Sequence, residues 1–266
     1  MNIHPTAVVD QDAELDPSVK VGAYAVIGAG VRIGANSVIS PHAVINELTE
    51  IGTGNHVGSF ANIGDAPQDI SYRNEATTLK IGNDNQIREY VSIHRGTVKG
   101  GGQTTIGNNN MLMAYSHIAH DCHVGNHVIM ANAATLGGHV TVGDRANFGG
   151  FVGVHQFTNI GCYSYVGGMS GVTKDVPPYT IVAGTRNQMR VSGINRIGLK
   201  RSGFSSNDIK DLRGAFNIIF SDENLLLQEA LDMAISEYST SELVRNLVGF
   251  IRASKRGVVR SYSSDE

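Results

Sequence analysis

The sequence predicts an all-β parallel β-helix followed by an α-helical C-terminal domain. Three observations carry that prediction. An aliphatic or other apolar residue recurs at every sixth position, glycine, asparagine and aspartate crowd behind it, and helical spacing takes over from about residue 187. The domains expected are therefore 1–186 and 187–266.

The hexad begins at Ile3 and runs through Val9, Leu15, Val21, Ile27 and Ile33 without a miss to Ile63. Its phase returns at Ile81, Ile87 and Ile93, then again from Ile106 to Val172. All 26 such positions are apolar, where about half would be by chance. A lone helix repeats near 3.6 residues and a lone half-buried strand near two. A six-residue period fits a short strand plus a turn, wound around one axis, and known hexapeptide repeats form parallel β-helices. Gly22, Gly28, Gly34, Gly52, Gly58 and Gly64 follow the apolar position. They are expected to serve the turn, where positive φ is cheap for glycine. The repeat lapses over residues 64–80 and 95–105, which are expected to protrude as loops on the binding face.

Beyond residue 187 the pattern predicts about three helices capping the open end of the sheets. Ser205 or Ser206 caps the first, with Ile209, Leu212, Phe216, Ile219 and Phe220 on one side. A second runs around Leu225–Tyr238, and Thr240 or Ser241 opens a third with Leu243, Leu247, Phe250 and Ile251. Residues 186–266 carry 12 basic and 10 acidic residues in a chain of net charge −3. Charged residues are only 17% while 41% are apolar, which excludes disorder, and the net charge excludes a nucleic-acid polycation. No apolar run is long enough for a transmembrane helix. No signal peptide is visible, so a cytoplasmic chain with Cys122 and Cys162 reduced is expected.

Seven of the ten histidines fall between residues 94 and 155. Hexads three apart share a face of a three-sided coil, so His94, His120, His139 and His155 are expected to climb one face. His117 stands at the adjoining corner. A histidine near neutral pKa can take a proton from a hydroxyl and return it to a leaving group. Asp121 follows His120 directly and can orient it. Gly137 and Gly138 offer backbone N–H groups to an oxyanion. Metal ligation by His117, His120, His123 and His127 is the competing reading, but on a coil that turns corners these side chains diverge. An acyl-cysteine at Cys122 is a further route. No phosphate-binding or dinucleotide fingerprint is present, so no cofactor and no metal are expected.

Several stretches together carry a resemblance: Ile93-His94-Arg95-Gly96-Thr97-Val98, His117-Ile118-Ala119-His120-Asp121-Cys122, Gly138-His139-Val140, Val154-His155-Gln156-Phe157, Asp175-Val176-Pro177-Pro178-Tyr179, Gly198-Leu199-Lys200-Arg201 and Arg256-Gly257-Val258-Val259-Arg260. In this order they resemble the acyl-ACP:UDP-N-acetylglucosamine O-acyltransferases that open lipid A biosynthesis. The resemblance implies a left-handed β-helix and a homotrimer with active sites between subunits. It also implies transfer of an (R)-3-hydroxyacyl chain from acyl carrier protein to the glucosamine 3-hydroxyl of UDP-N-acetylglucosamine. It casts His120 as general base, Asp121 as its support and the Gly138 N–H as oxyanion donor. Asp69, His94, His117, His139, His155 and Gln156 correspond to positions that touch substrate or shape the pocket. Asn195 and Arg201 correspond to nucleotide-side contacts. Gly168 corresponds to the position that limits acyl-chain length, and the basic helical part to the surface for the acidic carrier protein.

Three positions depart from the family's pattern. Ser71 stands where a lysine is usual, Ile197 where a glutamate is, and Ser202 where a second arginine is. Each loss would remove a charge-assisted hydrogen bond worth about 1.5–3 kcal/mol, unless another group replaces it. A 3-amino sugar nucleotide is therefore a rival acceptor, and a non-catalytic or metal-binding β-helix a rival class.

Overall fold

The computed structural model describes residues 2–185, 188–221 and 225–259. Twenty-eight short strands form three sheets of 11, 9 and 8 strands. Most strands are two residues long, such as Val26–Ile27 and His117–Ile118. All pair in parallel from coil to coil, apart from Arg190–Ile194, which pairs antiparallel with Thr180–Ala183. The hexad's apolar residues point inward. They are fully buried from Val21 through Val172, whereas Ile3, Val9 and Leu15 in the first coil are more open because nothing stacks beneath them.

The corners show what the hexad demands of the backbone. From Val21 onward the residue three positions past the apolar one takes φ near +60° at most corners, as at Tyr24, Asn36, Phe60, Asp121 and His139. Those residues are mostly not glycine. The glycines directly after the apolar position have a different reason to be there, which corrects the turn explanation. Of the six, only Gly64 has positive φ. At Gly58 a Cβ would lie 2.6 Å from the carbonyl carbon of Arg88 in the next coil. Coil spacing, not backbone hand, forbids a side chain there. Buried asparagines tie the coils further: Asn85 Nδ2 donates to Asn55 Oδ1 at 2.9 Å, and the Asn110 N–H to Asn85 Oδ1 at 2.9 Å.

Both insertions are shorter than the broken repeat suggests. Strand Asn62–Asp65 continues past residue 64, and Thr78–Ile81 pairs with Thr49–Ile51 and with Gln103–Ile106. The loops proper are 66–77 and 95–102, and the second contains a 3₁₀ turn, Val98–Gly100. Their flanks are polar strands whose threonines hide the apolar period.

Among the described residues the helical part contains four helices, one more than the pattern predicts: α1 (Arg196–Arg201), α2 (Ser206–Phe220), α3 (Leu227–Glu237) and α4 (Glu242–Ala253). Helix α1 escapes sequence reading because it is one and a half turns long and carries a glycine. Asn195 starts it by accepting the Gly198 N–H at 3.0 Å. Ser205 caps α2 in a capping box with Asp208, and Ser241 caps α4. The expected boundary at residues 186 and 187 lies outside the described residues, but the strand Arg190–Ile194 extends a β-sheet beyond it. The end of the chain returns to the last coil: Asp175 bridges Val258, and Ser254 Oγ donates to Asp175 Oδ2 at 2.7 Å. Arg260 of the closing motif lies outside the described residues.

Phe148 is fully buried on the helix axis. Phe148→Ala is expected to cost about 3–5 kcal/mol, read as a lower urea midpoint. Ile3→Ala, 36% exposed in the open coil, should stay within about 0.5 kcal/mol.

Candidate active site

Ile93, Ile118, Leu136 and Val154 stack on one sheet in the predicted register. The histidines beside them do not form a single line. His94 is one residue past its apolar anchor, His120 two, and His139 three, so the side chains fan around a corner. Two edge-to-face pairs result: His94 with His117 at 4.9 Å and His120 with His139 at 5.1 Å between ring centres. Charge on His120 lowers the proton affinity of His94, His117 and His139, so the four rings make one electrostatic cluster. His155 lies apart, its Nδ1 2.8 Å from Arg256 Nη2 and its neighbour Gln156 exposed.

Asp121 is the hub. Its side chain is 1% exposed, and Oδ2 receives His120 Nδ1 at 2.7 Å. Thr97 gives it an N–H at 2.7 Å and a hydroxyl proton at 2.6 Å, and His139 Nε2 stands 3.6 Å off. A buried carboxylate is tolerable only when its lone pairs are met in this way. Asp121 occupies a positive-φ corner, φ 60°, a conformation aspartate bears better than most residues. In the sequence Thr97 falls within a resembling stretch but carries no role there, and Thr104, whose Oγ1 accepts the Asp121 N–H at 2.8 Å, does not stand out. Both lie where the repeat lapses, so no periodicity flags them.

With Nδ1 committed to Asp121, the other nitrogen of His120 faces Gly138. A Cβ at Gly138 would lie 2.6 Å from His120 Cε1 and 2.8 Å from Nε2. The neighbouring N–H groups of Gly137 and His139 bond the carbonyls of Val154 and His120. That of Gly138 bonds no described residue. His139 takes the next corner and stacks on Phe157 at 4.3 Å. Asp69, in the first loop, accepts the Ser71 N–H and hydroxyl through Oδ1, each at 2.8 Å. Those bonds, with Lys99 and His120 nearby, hold its carboxyl below the usual range.

Burial favours the neutral imidazole at His94, His117 and His139. It lowers His117 to about 4, reinforced by His94 and His120, while His117 Nδ1 pairs with Ser92 Oγ at 2.8 Å. Burial also lowers His94, against an upward pull from Asp65, and its buried Nδ1 has no hydrogen-bond partner among the described residues. His139 is lowered chiefly by desolvation, opposed by Asp121. Burial pushes the Cys122 thiol up to about 12, and its Sγ donates to the Gly137 carbonyl at 3.1 Å, which disables it as a thiolate nucleophile. One atom each from His120, Asp121 and His139 falls within 4.8 Å of the others, a spacing a metal ion accepts. Two of these residues already bond each other, His120 Nδ1 to Asp121 Oδ2 at 2.7 Å. His123 sits on a different sheet from His117, so the metal spacing read from sequence does not converge.

Not every expected residue joins this cluster. Asn195 and Arg201 line a separate cavity of about 530 Å³ with Asn147, Tyr165, Arg196 and Lys200. The Asn195 amide accepts the Gly198 N–H and donates to the Tyr163 carbonyl at 2.9 Å, which leaves its second N–H and second lone pair for a ligand. Gly168 lies exposed at another corner, where a Cβ would stand 3.3 Å from the Gly150 carbonyl oxygen.

The model of the bacterial transferase hexapeptide, six repeats, matches residues 12–47 and 103–138. That described as "Udp N-acetylglucosamine O-acyltransferase; Domain 2" matches residues 175–259. A protein of Syntrophobacter fumaroxidans named acyl-(acyl-carrier-protein)–UDP-N-acetylglucosamine O-acyltransferase is 51% identical, over 98% of this chain and 100% of its own length. The chain belongs to the UDP-N-acetylglucosamine O-acyltransferase family. A protein of the same name from Thermodesulfovibrio yellowstonii is 49% identical over 97% of the chain and 99% of its own. The crystal structure of LpxA from Acinetobacter baumannii superposes with a TM-score of 0.93 at 43% identity, covering 97% of this chain and 99% of that one. The fold is thus the left-handed hexapeptide β-helix of these acyltransferases.

The lowered affinity of His117 has a consequence for stability. Its folded pKa, about 4, lies below the unfolded value of about 6.5. The unfolded chain therefore binds more protons across that window, and the stability present above pH ~6.5 declines as pH falls toward ~4. Imidazole proton NMR should place the His117 midpoint near 4. Ser92→Ala, which removes the Nδ1 partner, should shift the His117 titration.

Proposed function

We propose that this acyltransferase moves an (R)-3-hydroxyacyl chain from acyl carrier protein to the 3-hydroxyl of UDP-N-acetylglucosamine, the opening step of lipid A biosynthesis, with His120 as general base. The observation that carries this is the His120–Asp121 pair standing against the uncommitted N–H of Gly138. Asp121 holds Nδ1 protonated, so Nε2 receives the sugar's hydroxyl proton. The sugar oxygen adds to the thioester carbonyl carbon, and charge builds on the carbonyl oxygen, where the Gly138 N–H meets it. Collapse breaks the carbon–sulfur bond. The imidazolium returns its proton to the departing thiolate, leaving an ester and a free carrier thiol.

The remaining residues fall into place around that step. Asp69 retains Oδ2 for a hydroxyl or amide of the sugar. His94, His117, His139, His155 and Gln156 bound the acceptor and the thioester arm. Gly168 leaves room for a long acyl chain. Asn195 and Arg201 serve the nucleotide from the separate basic cavity, which a homotrimer would bring to a neighbour's histidines. An exposed aromatic column, Tyr24, Phe60, Tyr90 and Tyr115, supports such self-association; a one-subunit mass by light scattering would overturn it. The cations of α1 suit an acidic carrier protein. A cytoplasmic site belongs to the same reading, and among the described residues no helix is long and apolar enough to cross a membrane.

A coupled assay with 3-hydroxyacyl carrier protein tests the reading, offering UDP-N-acetylglucosamine and its 3-amino analogue in parallel. Turnover confined to the 3-amino analogue would reassign the acceptor and make the product an amide. His120→Ala should lower kcat by about 10²–10⁴-fold with the fold intact by circular dichroism; an equal rate would remove His120 from the mechanism. Gly138→Ala should lower kcat by at least about tenfold by crowding His120, without loss of carrier-protein affinity.

A further inference from the structure

Ser71 stands where the sequence resemblance implies a lysine, and a cation stands beside it. Lys99 reaches across from the second loop and places Nζ 2.8 Å from Ser71 Oγ. Ser71 passes the contact on, donating its N–H and hydroxyl to Asp69 Oδ1. The chain Lys99–Ser71–Asp69 thus joins the two loops at the rim of the histidine cluster. Asp69 in turn acts electrostatically on His139.

The other end of the chain is referenced to the dyad. Lys99 is the middle residue of the Val98–Gly100 turn, and Thr97, which opens that turn, gives both its N–H and its hydroxyl proton to Asp121. The Gly100 N–H returns to Thr97 Oγ1 at 3.2 Å, and a Cβ at Gly100 would overlap the Asp121 carboxyl. The carboxylate that orients His120 therefore also seats the turn that carries Lys99.

Other cations near the loops are engaged. Arg95 is buried and divides its donors among Tyr72 Oη, the Gly64 carbonyl and Glu47. Arg73 bonds the carbonyls of Ile70 and Tyr72. Lys99 is exposed, and Ser71 takes one of the three protons on its ammonium. A nucleoside diphosphate sugar approaching Asp69 and Asp121 meets two carboxylates. An ammonium at the rim offsets that repulsion and offers donors to the incoming oxygens.

We propose that Lys99 is an acceptor-binding residue of this enzyme, which holds the anionic part of a nucleoside diphosphate sugar and, through Ser71, sets Asp69 for the sugar ring. The departure at Ser71 is then a relocation of charge from one loop to the other. This rests on the acyltransferase reading above.

Steady-state kinetics on the parent, on Lys99→Met and on the double variant Lys99→Gln/Ser71→Lys test the proposal, beside calorimetric binding of UDP-N-acetylglucosamine, which needs no turnover. Losing one charge-assisted contact should raise the acceptor KM and Kd of Lys99→Met about 10–100-fold. The carrier-protein KM should change little, and the salt dependence of the acceptor KM should flatten. The double variant should recover most of the acceptor affinity, because the cation returns from residue 71. Unchanged acceptor Kd and KM in Lys99→Met would overturn the proposal. So would a fall in kcat alone, which would mean that the turn acts only through Asp121. A parent that binds the nucleotide sugar but transfers no acyl group would refute the acyltransferase reading and leave the binding comparison to judge Lys99.

Discussion

A left-handed backbone conformation recurs three positions after most of the buried apolar residues of the six-residue repeat, from Val21 onward. That constraint orders everything outside the core. Residues at equivalent corners of successive coils stand one above another at the spacing of adjacent strands, about 4.8 Å. The ring separations follow it: 4.3 Å for His139 on Phe157 and 4.8 Å for Tyr90 on Tyr115. Asp121, His139 and Phe157 share one such corner. The dyad is therefore mounted on a rigid stack in place of a mobile loop, which suits a site whose geometry must hold to within about 0.5 Å.

Burial of Asp121 then sets the chemistry. A carboxylate removed from water must be met by donors, and here they come from three segments: His120, Thr97 and, through the backbone, Thr104. The same contacts that make burial tolerable fix the orientation of His120 and anchor the second loop. Desolvation meanwhile favours neutral imidazoles at His94, His117 and His139, the form that accepts a proton or a hydrogen bond.

The helical part closes the open end of the sheets, where unpaired strand edges would otherwise invite association. It is tied down by Asn246 on Tyr179, at 3.0 Å, and by Arg256, which donates to the Thr173 carbonyl at 2.7 Å and touches His155. The last turns of the chain thereby reach His155. That contact spans about a hundred residues of sequence, and no local pattern announces it.

The sequence by itself determined the coil, its register and the sheet on which Ile93, Ile118, Leu136 and Val154, the anchors next to the histidines, stack. Each inward residue is compelled by burial, and a strict period propagates that choice from coil to coil. It also determined the neighbours His120 and Asp121, because adjacency in the chain is adjacency in space. Tertiary structure alone decided how the histidines pair, since one, two or three residues past an apolar anchor lead to different sides of a corner. It alone recruited Thr97 and Lys99, which lie where the repeat lapses, and it removed Cys122 from the chemistry by burying it. It also reassigned the hexad glycines from turn-making to coil spacing, because the atom that excludes a side chain belongs to the next coil, and a clash between coils has no signature within one.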